Sequence, residues 1–101
     1  MSVFMMLQVE DDPKRLADVM SDSERWKRIN ARAVEHGAIH HRVFASADGG
    51  TIAVFDEWKS EGGFQTFFRS SPEIPELMRE AGVTTEPRIA CWHPVDTPDQ
   101  F

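Results

Sequence analysis

The chain has 101 residues, of which 41% are hydrophobic and 28% charged, a composition typical of one folded domain. Asp and Glu number 17 against 11 for Lys and Arg, and the net charge of −6 argues against nucleic acid as a partner. No stretch approaches the roughly 18 apolar residues of a membrane span, and the first residues lack the basic start of a signal peptide. A single cysteine, Cys91, excludes an intrachain disulfide and predicts a reducing, cytoplasmic location.

The first third of the chain predicts a strand followed by a helical region. Residues 3–9 are short and mostly apolar, as in a buried strand. The Asp12-Pro13 pair predicts a helix start, with Asp as the N-cap and Pro at the first helical position. A weakly helical Ser21-Asp22-Ser23 predicts an interruption, and Gly37 predicts the end. The apolar stripe expected along this region comprises Leu16, Val19, Met20, Trp26, Ala33 and Val34.

The rest of the chain predicts a hairpin, a second helical region and a last strand. Residues 38–45 and 51–58 are strand-like and are separated by a Gly-rich turn, which predicts an antiparallel hairpin. Residues 60–82 predict helix with a pause at Ser70-Ser71-Pro72, and Pro75 is expected in the first turn of the resumed helix. The predicted last strand is 87–93, so that the domain spans 1–94 and a flexible tail spans 95–101.

The order β-α-β-β-α-β predicts an α+β, ferredoxin-like fold, in which two helices cover one face of a four-stranded antiparallel sheet. The strands are apolar at both parities, with Val3 and Met5 on one side of the first strand and Phe4 and Met6 on the other. An uncovered apolar sheet face needs a second cover. The economical cover is another copy of the chain, and we therefore expect a homodimer.

Phe55-Asp56-Glu57-Trp58-Lys59-Ser60-Glu61, followed by Phe64 and Ser71-Pro72, resembles the antibiotic biosynthesis monooxygenase-like (ABM-like) domains of the dimeric α/β-barrel superfamily. The resemblance in the order of elements covers about residues 2–94 and implies a dimeric α/β barrel. The superfamily hosts cofactor-independent oxygenation of aromatic polyketides, haem degradation and polyketide cyclisation, so the resemblance supports the architecture more strongly than the reaction.

The residue pattern of the haem-degrading branch is absent from this chain. Members of that branch carry an Asn on the first strand, a Trp on the second helical region and an iron-binding His further along the same region. Here the first strand has Gln8 but no Asn, Phe67 and Phe68 stand around the Trp position, and residues 70–80 contain no His. The resemblance therefore does not imply haem degradation.

The candidates for chemistry are polar residues on the strands. If Ile39 and Val43 face the helices, alternation places His40 and Arg42 toward the space between two copies. We predict His40 or Glu57 as a base and Arg42 as the stabiliser of an anion, because such chemistry needs one proton acceptor and one cation. The alternative is that the histidines are structural, that Glu57 is a surface or salt-bridged carboxylate, and that Arg42 pairs with a carboxylate of the second copy.

The neighbours of these residues alternate in direction along the strands. His41 falls among the helix-facing residues, which suits a polar ring only near a sheet edge. Asp56 and Glu57 alternate in direction, so one of them can face the ligand. An apolar, aromatic wall for a flat ligand, or alternatively a plain dimer interface, is predicted from Phe4, Met6, Phe55, Phe67, Trp92 and His93.

Together with these residues, the resemblance implies an ABM-like small-molecule enzyme, specifically a monooxygenase that acts on an aromatic, polyketide-like or quinol substrate. No cofactor is expected, and none of the His, Cys or Glu spacings is that of a metal site. Two alternatives stay open, a non-catalytic module that binds a small ligand and a polyketide cyclase of the same superfamily. Oxygen consumption separates the oxygenase from the cyclase.

Overall fold

Four strands form one antiparallel sheet in the computed structural model, which describes residues 2–101 and so leaves Met1 of the predicted domain outside the described residues. Their order across the sheet is β2-β3-β1-β4, and every neighbouring pair is antiparallel. This arrangement confirms the predicted ferredoxin-like fold. The strands are β1 Val3–Glu10, β2 Ala38–Ala45, β3 Thr51–Trp58 and β4 Arg88–Trp92.

Each predicted helical region is divided into two helices. Asp12 accepts a hydrogen bond from the Lys14 amide and precedes Pro13, which confirms the predicted first cap. The second helix has its own cap, because the Asp22 carboxylate accepts from the Arg25 amide. The helices are α1 Pro13–Val19, α2 Ser23–Glu35, α3 Glu61–Ser70 and α4 Glu73–Glu80.

Ser71 and Pro72 separate α3 from α4. The buried Ser71 hydroxyl donates to the Phe67 carbonyl at 2.6 Å and so satisfies an acceptor at the end of α3. Pro72 precedes α4 directly. Pro75 is the third residue of α4, as predicted, where its missing amide hydrogen removes no intrahelical bond.

The core lies between the sheet and the four helices. Alternate residues of β1 and β3 point to this helix side, because side chains in a strand change face at every residue. The residues buried there are Val3, Met5, Leu7, Val9, Ile29, Ile52, Trp58, Phe64 and Phe67.

The apolar stripe of α2 differs from the predicted one. Ile29 is buried, whereas Val34 is 64% exposed. The separate cap at Asp22 lets α2 take its own rotation, and its inward residues are Trp26, Ile29 and Ala33, at spacings of three and four.

The opposite face of the sheet, which we term the open face, carries no helix. Its aromatic side chains are between 42% and 57% exposed in the single chain, and they lie on all four strands. They are adjacent across the sheet, because Phe4 pairs with Trp92 and the rings of Phe44 and Phe55 lie 5.4 Å apart. The exposed aromatic residues of this face are Phe4, Phe44, Phe55 and Trp92.

A β-bulge at Ile39 determines which residues of β2 face the helices. Ala38 pairs with Trp58 and His40 pairs with Glu57, so Ile39 is an extra residue in the ladder. Without it, regular alternation from Ala38 would direct His40 to the helix side. With it, His40 lies on the open face and His41 lies on the helix side. Because β2 is an edge strand, His41 lies near the sheet edge, which is where a polar ring on the helix side was expected.

The last residues, 93–101, contain neither helix nor strand, and Gln100 donates to the carbonyls of Val95 and Thr97. Within the described part of the chain, no helix combines the length and the apolar character that a membrane crossing requires.

Candidate functional site

A cavity of about 370 Å³ lies between the sheet and the helices, and we term it the helix-side cavity. This volume is near the lower end of the roughly 300–1,000 Å³ that is usual for small-molecule sites. Its walls are apolar except for four polar residues. These four are Asn30, His40, His41 and Asp56, of which His40 directs its side chain to the opposite face of the sheet. Such a cavity suits a largely apolar ligand that carries one or two polar atoms.

One wall of the helix-side cavity is aromatic. Trp58 on β3 contacts two residues of α3, with its ring centre 5.5 Å from that of Phe64 and 5.4 Å from that of Phe67. Trp58 and Phe64 meet edge to face, an arrangement that aromatic rings favour. The wall is therefore packed and rigid, and it presents ring surface to a flat ligand.

A histidine and an aspartate form a hydrogen-bonded pair on the same side. His41 and Asp56 lie opposite each other on β2 and β3, and His41 Nδ1 is 2.7 Å from Asp56 Oδ1. The second carboxylate oxygen, Oδ2, accepts from Trp58 Nε1 at 3.2 Å. The Asp56 side chain is only 10% exposed, so these two donors satisfy oxygens that have little access to water.

The His41–Asp56 pair stands where the helix-side cavity meets a second, outer depression of about 540 Å³. Trp26, Asn30 and His41 are among the residues that line both spaces. The His41 ring is stacked on Trp26 with 6.2 Å between ring centres and 28° between planes. We term this junction, lined by Trp26, Asn30 and His41, the neck of the helix-side cavity.

Two cationic residues, Lys27 and Arg42, line the outer depression. Lys27 is held by Glu24 at 3.5 Å. Arg42 lies over the Phe44 ring, 5.7 Å from its centre. The positive charge of Lys27 is therefore paired with a carboxylate, and that of Arg42 lies over a ring of the open face.

The predicted catalytic residues come together on the open face. His40 Nε2 lies 3.9 Å from Glu57 Oε1, and the two residues are partners across β2 and β3. Arg42 pairs with Phe55 on the same face and also reaches the outer depression. The three residues therefore share one surface, which in the single chain is open to solvent.

The predicted binding wall is divided between the two sides of the sheet. Most of its members lie on the open face, by strand pairing. Phe67 lies in the helix-side cavity, and His93 follows the end of β4. The members on the open face are Phe4, Met6, Phe55 and Trp92.

The neck is not among the predicted sites, although the sequence carries one signal for it. Its signal is the position of Asp56, a carboxylate at the same parity as Ile52, Val54 and Trp58 of a buried strand. A buried carboxylate needs donors, and a histidine on the neighbouring strand is a ready one. Trp26 was read as core only, although its ring lines both the helix-side cavity and the outer depression.

Apart from the His41–Asp56 pair, the reactive groups of the described residues form neither a metal site nor an activated thiol. Among residues 2–101, no three His, Cys, Asp or Glu side chains come close enough together to hold a metal ion. Burial raises the pKa of the Cys91 thiol, and the nearby Glu61 carboxylate raises that pKa further. At neutral pH this thiol is therefore protonated and a poor nucleophile.

Comparisons with known proteins identify the architecture. No protein-family model matches the chain, and no curated protein matches it. Solved structures do match over nearly the whole length. SnoaB from Streptomyces nogalater, a cofactor-independent oxygenase, is 13% identical with a TM-score of 0.64, over 98% of this chain and 97% of its own.

Two further structures agree. A conserved protein from Methanosarcina mazei is 20% identical with a TM-score of 0.65, over 90% of each chain. A Bordetella bronchiseptica protein, provisionally named an antibiotic biosynthesis monooxygenase, is 14% identical with a TM-score of 0.66, over 93% of this chain and 97% of its own. Likeness at this level of identity concerns the fold. The chain thus shares its fold with SnoaB and with the Bordetella bronchiseptica protein, in agreement with the predicted ABM-like fold.

Proposed function

We propose that the protein is a small-molecule monooxygenase that needs no cofactor and takes its substrate into the helix-side cavity. The observation that carries this proposal is the cavity itself, an apolar space of about 370 Å³ with a hydrogen-bonded imidazole and carboxylate at its neck. The fold shared with SnoaB, a cofactor-independent oxygenase, supports the same chemistry. The substrate class is a flat aromatic, quinol-like or polyketide-like molecule with an acidic C–H or O–H bond.

The reaction needs no electron source other than the substrate. Loss of a proton leaves an electron-rich carbanion or phenolate that reacts directly with O₂. When a ring CH₂ becomes C=O, one oxygen atom enters the product and the other leaves as water, so that the substrate supplies all four electrons. The protein must supply an apolar site, a proton acceptor and a stabiliser for the anion.

The predicted trio of His40, Arg42 and Glu57 offers a second position for this chemistry. It requires a homodimer in which the open faces of two copies enclose a chamber, and exposed apolar surface of this kind is typical of such interfaces. The open-face aromatic residues support dimer formation. We propose this dimer independently of where the substrate binds, and we place it in the cytoplasm because the single cysteine needs no oxidised partner.

Oxygen uptake tests the proposal. The purified protein is mixed with anthrone, a tricyclic ketone with an acidic CH₂, and with a series of quinols in a metal-free buffer that contains a chelator. We expect enzyme-dependent oxygen consumption, and with ¹⁸O₂ one labelled atom in the product. Uptake that disappears with the chelator, or a product without label, would contradict the proposal.

The two alternatives give different results in the same experiment. A binding module is stabilised by the ligand, by about RT ln(1 + [L]/Kd), without any product. A cyclase forms product equally well in the absence of oxygen. Either outcome would replace the oxygenase proposal.

A further inference from the structure

We propose that His41 accepts the substrate proton at the neck of the helix-side cavity and that Asp56 positions it. This inference rests on the proposed function, because a base acts only if a molecule with an acidic proton enters the cavity. Two residues of that site have different roles in the proposed step. His41 is the catalytic residue, and Asp56 acts through it.

The hydrogen bond to Asp56 determines which nitrogen of His41 is free. An ionised carboxylate only accepts hydrogen bonds, so the 2.7 Å contact between His41 Nδ1 and Asp56 Oδ1 places the ring proton on Nδ1. The lone pair of the neutral imidazole is then on Nε2. Within residues 2–101, Nε2 of His41 has no hydrogen-bond partner, which leaves it free for a ligand.

Asp56 is held in place by the aromatic wall. Its second oxygen accepts from the indole N–H of Trp58, which is buried in the core. The carboxylate therefore cannot rotate away from His41 without losing that bond. When His41 takes up a proton, the adjacent negative charge stabilises the imidazolium, as an oriented carboxylate does in other histidine-based sites.

The His41 ring is also fixed from the side. Trp26 stacks against it at the neck, with 28° between the ring planes. The side chain is 42% exposed, and it lines both the cavity and the outer depression. A base in this position is accessible to the ligand and can still release its proton to solvent afterwards.

The proposed step balances in protons and charge. The substrate C–H or O–H gives its proton to His41 Nε2, and its electron pair stays on the substrate as a carbanion or phenolate. That anion reacts with O₂, and the proton on His41 is returned when the second oxygen atom leaves as water. Asp56 stays ionised throughout and forms no bond to the substrate.

The first experiment separates proton removal from oxygenation. Anthrone and the protein are kept without oxygen in D₂O, and exchange of the acidic CH₂ is followed by mass spectrometry. We expect His41→Ala to slow enzyme-dependent exchange about 100-fold or more, within the range of a general base. Added imidazole should restore part of the rate in His41→Ala, because it refills the vacated space with the same base. A merely structural defect would not be restored.

Asp56→Asn tests the positioning role. Without the carboxylate, the Nδ1–H tautomer loses its preferred acceptor, so ¹⁵N NMR of His41 should show a mixture of tautomers in place of one. Exchange should slow, and added imidazole should not restore it because His41 still fills its place. Glu35→Gln, at an exposed position at the end of α2, is the matched control and should change neither readout.

The outcomes distinguish the inference from the proposed function. Anaerobic exchange that depends on His41 without oxygen uptake in air would support the base and overturn the oxygenase. Oxygen uptake that is unchanged in His41→Ala would overturn the base and leave the oxygenase. The NMR measurement needs no substrate, and a wild-type His41 that carries its neutral-state proton on Nε2 would by itself overturn the inference. Absence of exchange in the wild-type protein would overturn it as well.

Discussion

Two tryptophans hold the polar neck of the cavity in place. Trp58 donates to the Asp56 carboxylate, and Trp26 stacks on the His41 ring. Each combines a large apolar surface with a single donor, which is why tryptophan suits the boundary between a core and a polar site. Both residues therefore serve packing and site geometry at once.

Replacement of Trp58 tests this double role. Trp58→Phe removes the donor to a nearly buried carboxylate and also leaves a small void, so we expect the free energy of unfolding to fall by about 2–4 kcal/mol. The measurement is urea unfolding followed by circular dichroism. Trp92→Phe, the same change on the open face, leaves no buried carboxylate without a donor and should lower the value by less. Equal losses in the two variants would contradict the account.

At the residue scale, the sequence was informative about the side of the sheet that a residue faces but not about its partner across the strands. Alternation correctly placed His40 and Arg42 on the open face and His41 toward the helices. It did not show that His41 meets Asp56, because cross-strand pairing depends on register, and the bulge at Ile39 belongs to that register. A buried carboxylate on β3 was the available clue.

Close contact between α2 and α3 depends on one glycine. A Cβ atom on Gly63, in the first turn of α3, would overlap the carbonyl oxygen of His36 at the end of α2, whereas one on Gly62 would have no neighbour within 4 Å. Gly62 and Gly63 are adjacent glycines, but only Gly63 lacks room for a side chain.

These glycines give a matched pair of substitutions. Gly63→Ala should lower the free energy of unfolding by about 1–3 kcal/mol, because backbone must move to relieve the overlap. Gly62→Ala should raise it by up to about 1 kcal/mol, because alanine restricts the unfolded chain and favours helix. Thermal and urea unfolding of both variants provide the check. Stabilisation by Gly63→Ala would show that α2 and α3 are not in the close contact described.

The turn between β2 and β3 is sensitive to acid. The Asp48 carboxylate accepts from the Ser46 hydroxyl at 2.6 Å and from the Gly50 amide at 3.0 Å, and these bonds lower the pKa of Asp48 below its ordinary value of 3.8. A carboxyl whose pKa is lowered on folding stabilises the protein above its ordinary pKa. That contribution is lost as the pH falls through the lowered value.

Asp48→Asn removes the titrating group and keeps an acceptor oxygen. We expect wild type to be more stable than Asp48→Asn at about pH 5, and the difference to shrink when the pH is lowered to about 3. Urea unfolding at both values measures it, and acid effects of all other groups cancel in the comparison. A difference that does not change with pH would exclude the Asp48 contribution.

At the element scale, nearly the whole order of strands and helices followed from local patterns. The caps at Asp12 and Ser60 and the pause at Pro72 are short-range features that a sequence displays directly. The rotation of α2 is different, because it depends on the tertiary contacts of Trp26 and Ile29 with the sheet. Those contacts are long-range, so the predicted inclusion of Val34 in the stripe was wrong.

The whole molecule has one face covered by helices and one open aromatic face. Burial of the open face against a second copy predicts that a charge placed at its centre prevents association. Phe55→Glu should convert a dimer into a monomer in sedimentation equilibrium at micromolar concentration, with an unchanged circular dichroism spectrum. A wild-type protein that is already monomeric would contradict the proposed dimer.

The same variant separates the two positions for chemistry. Phe55 of β3 pairs with Arg42 of β2 on the open face and does not line the helix-side cavity. Phe55→Glu therefore disrupts an open-face chamber and leaves the helix-side cavity as it is. A folded monomer that retains oxygen uptake would assign the reaction to the helix-side cavity. Loss of uptake in a folded monomer would favour the chamber formed by two copies.

The central claim is that the substrate occupies the space between sheet and helices. Its most direct test is a crystal structure of the protein with a tricyclic quinone or anthrone analogue, at a resolution that shows the ring. We expect the ring to lie against Trp58 and Phe67 with a polar atom beside His41 Nε2. A ligand that binds between two open faces, beside His40 and Arg42, while the helix-side cavity holds no ligand would contradict the claim.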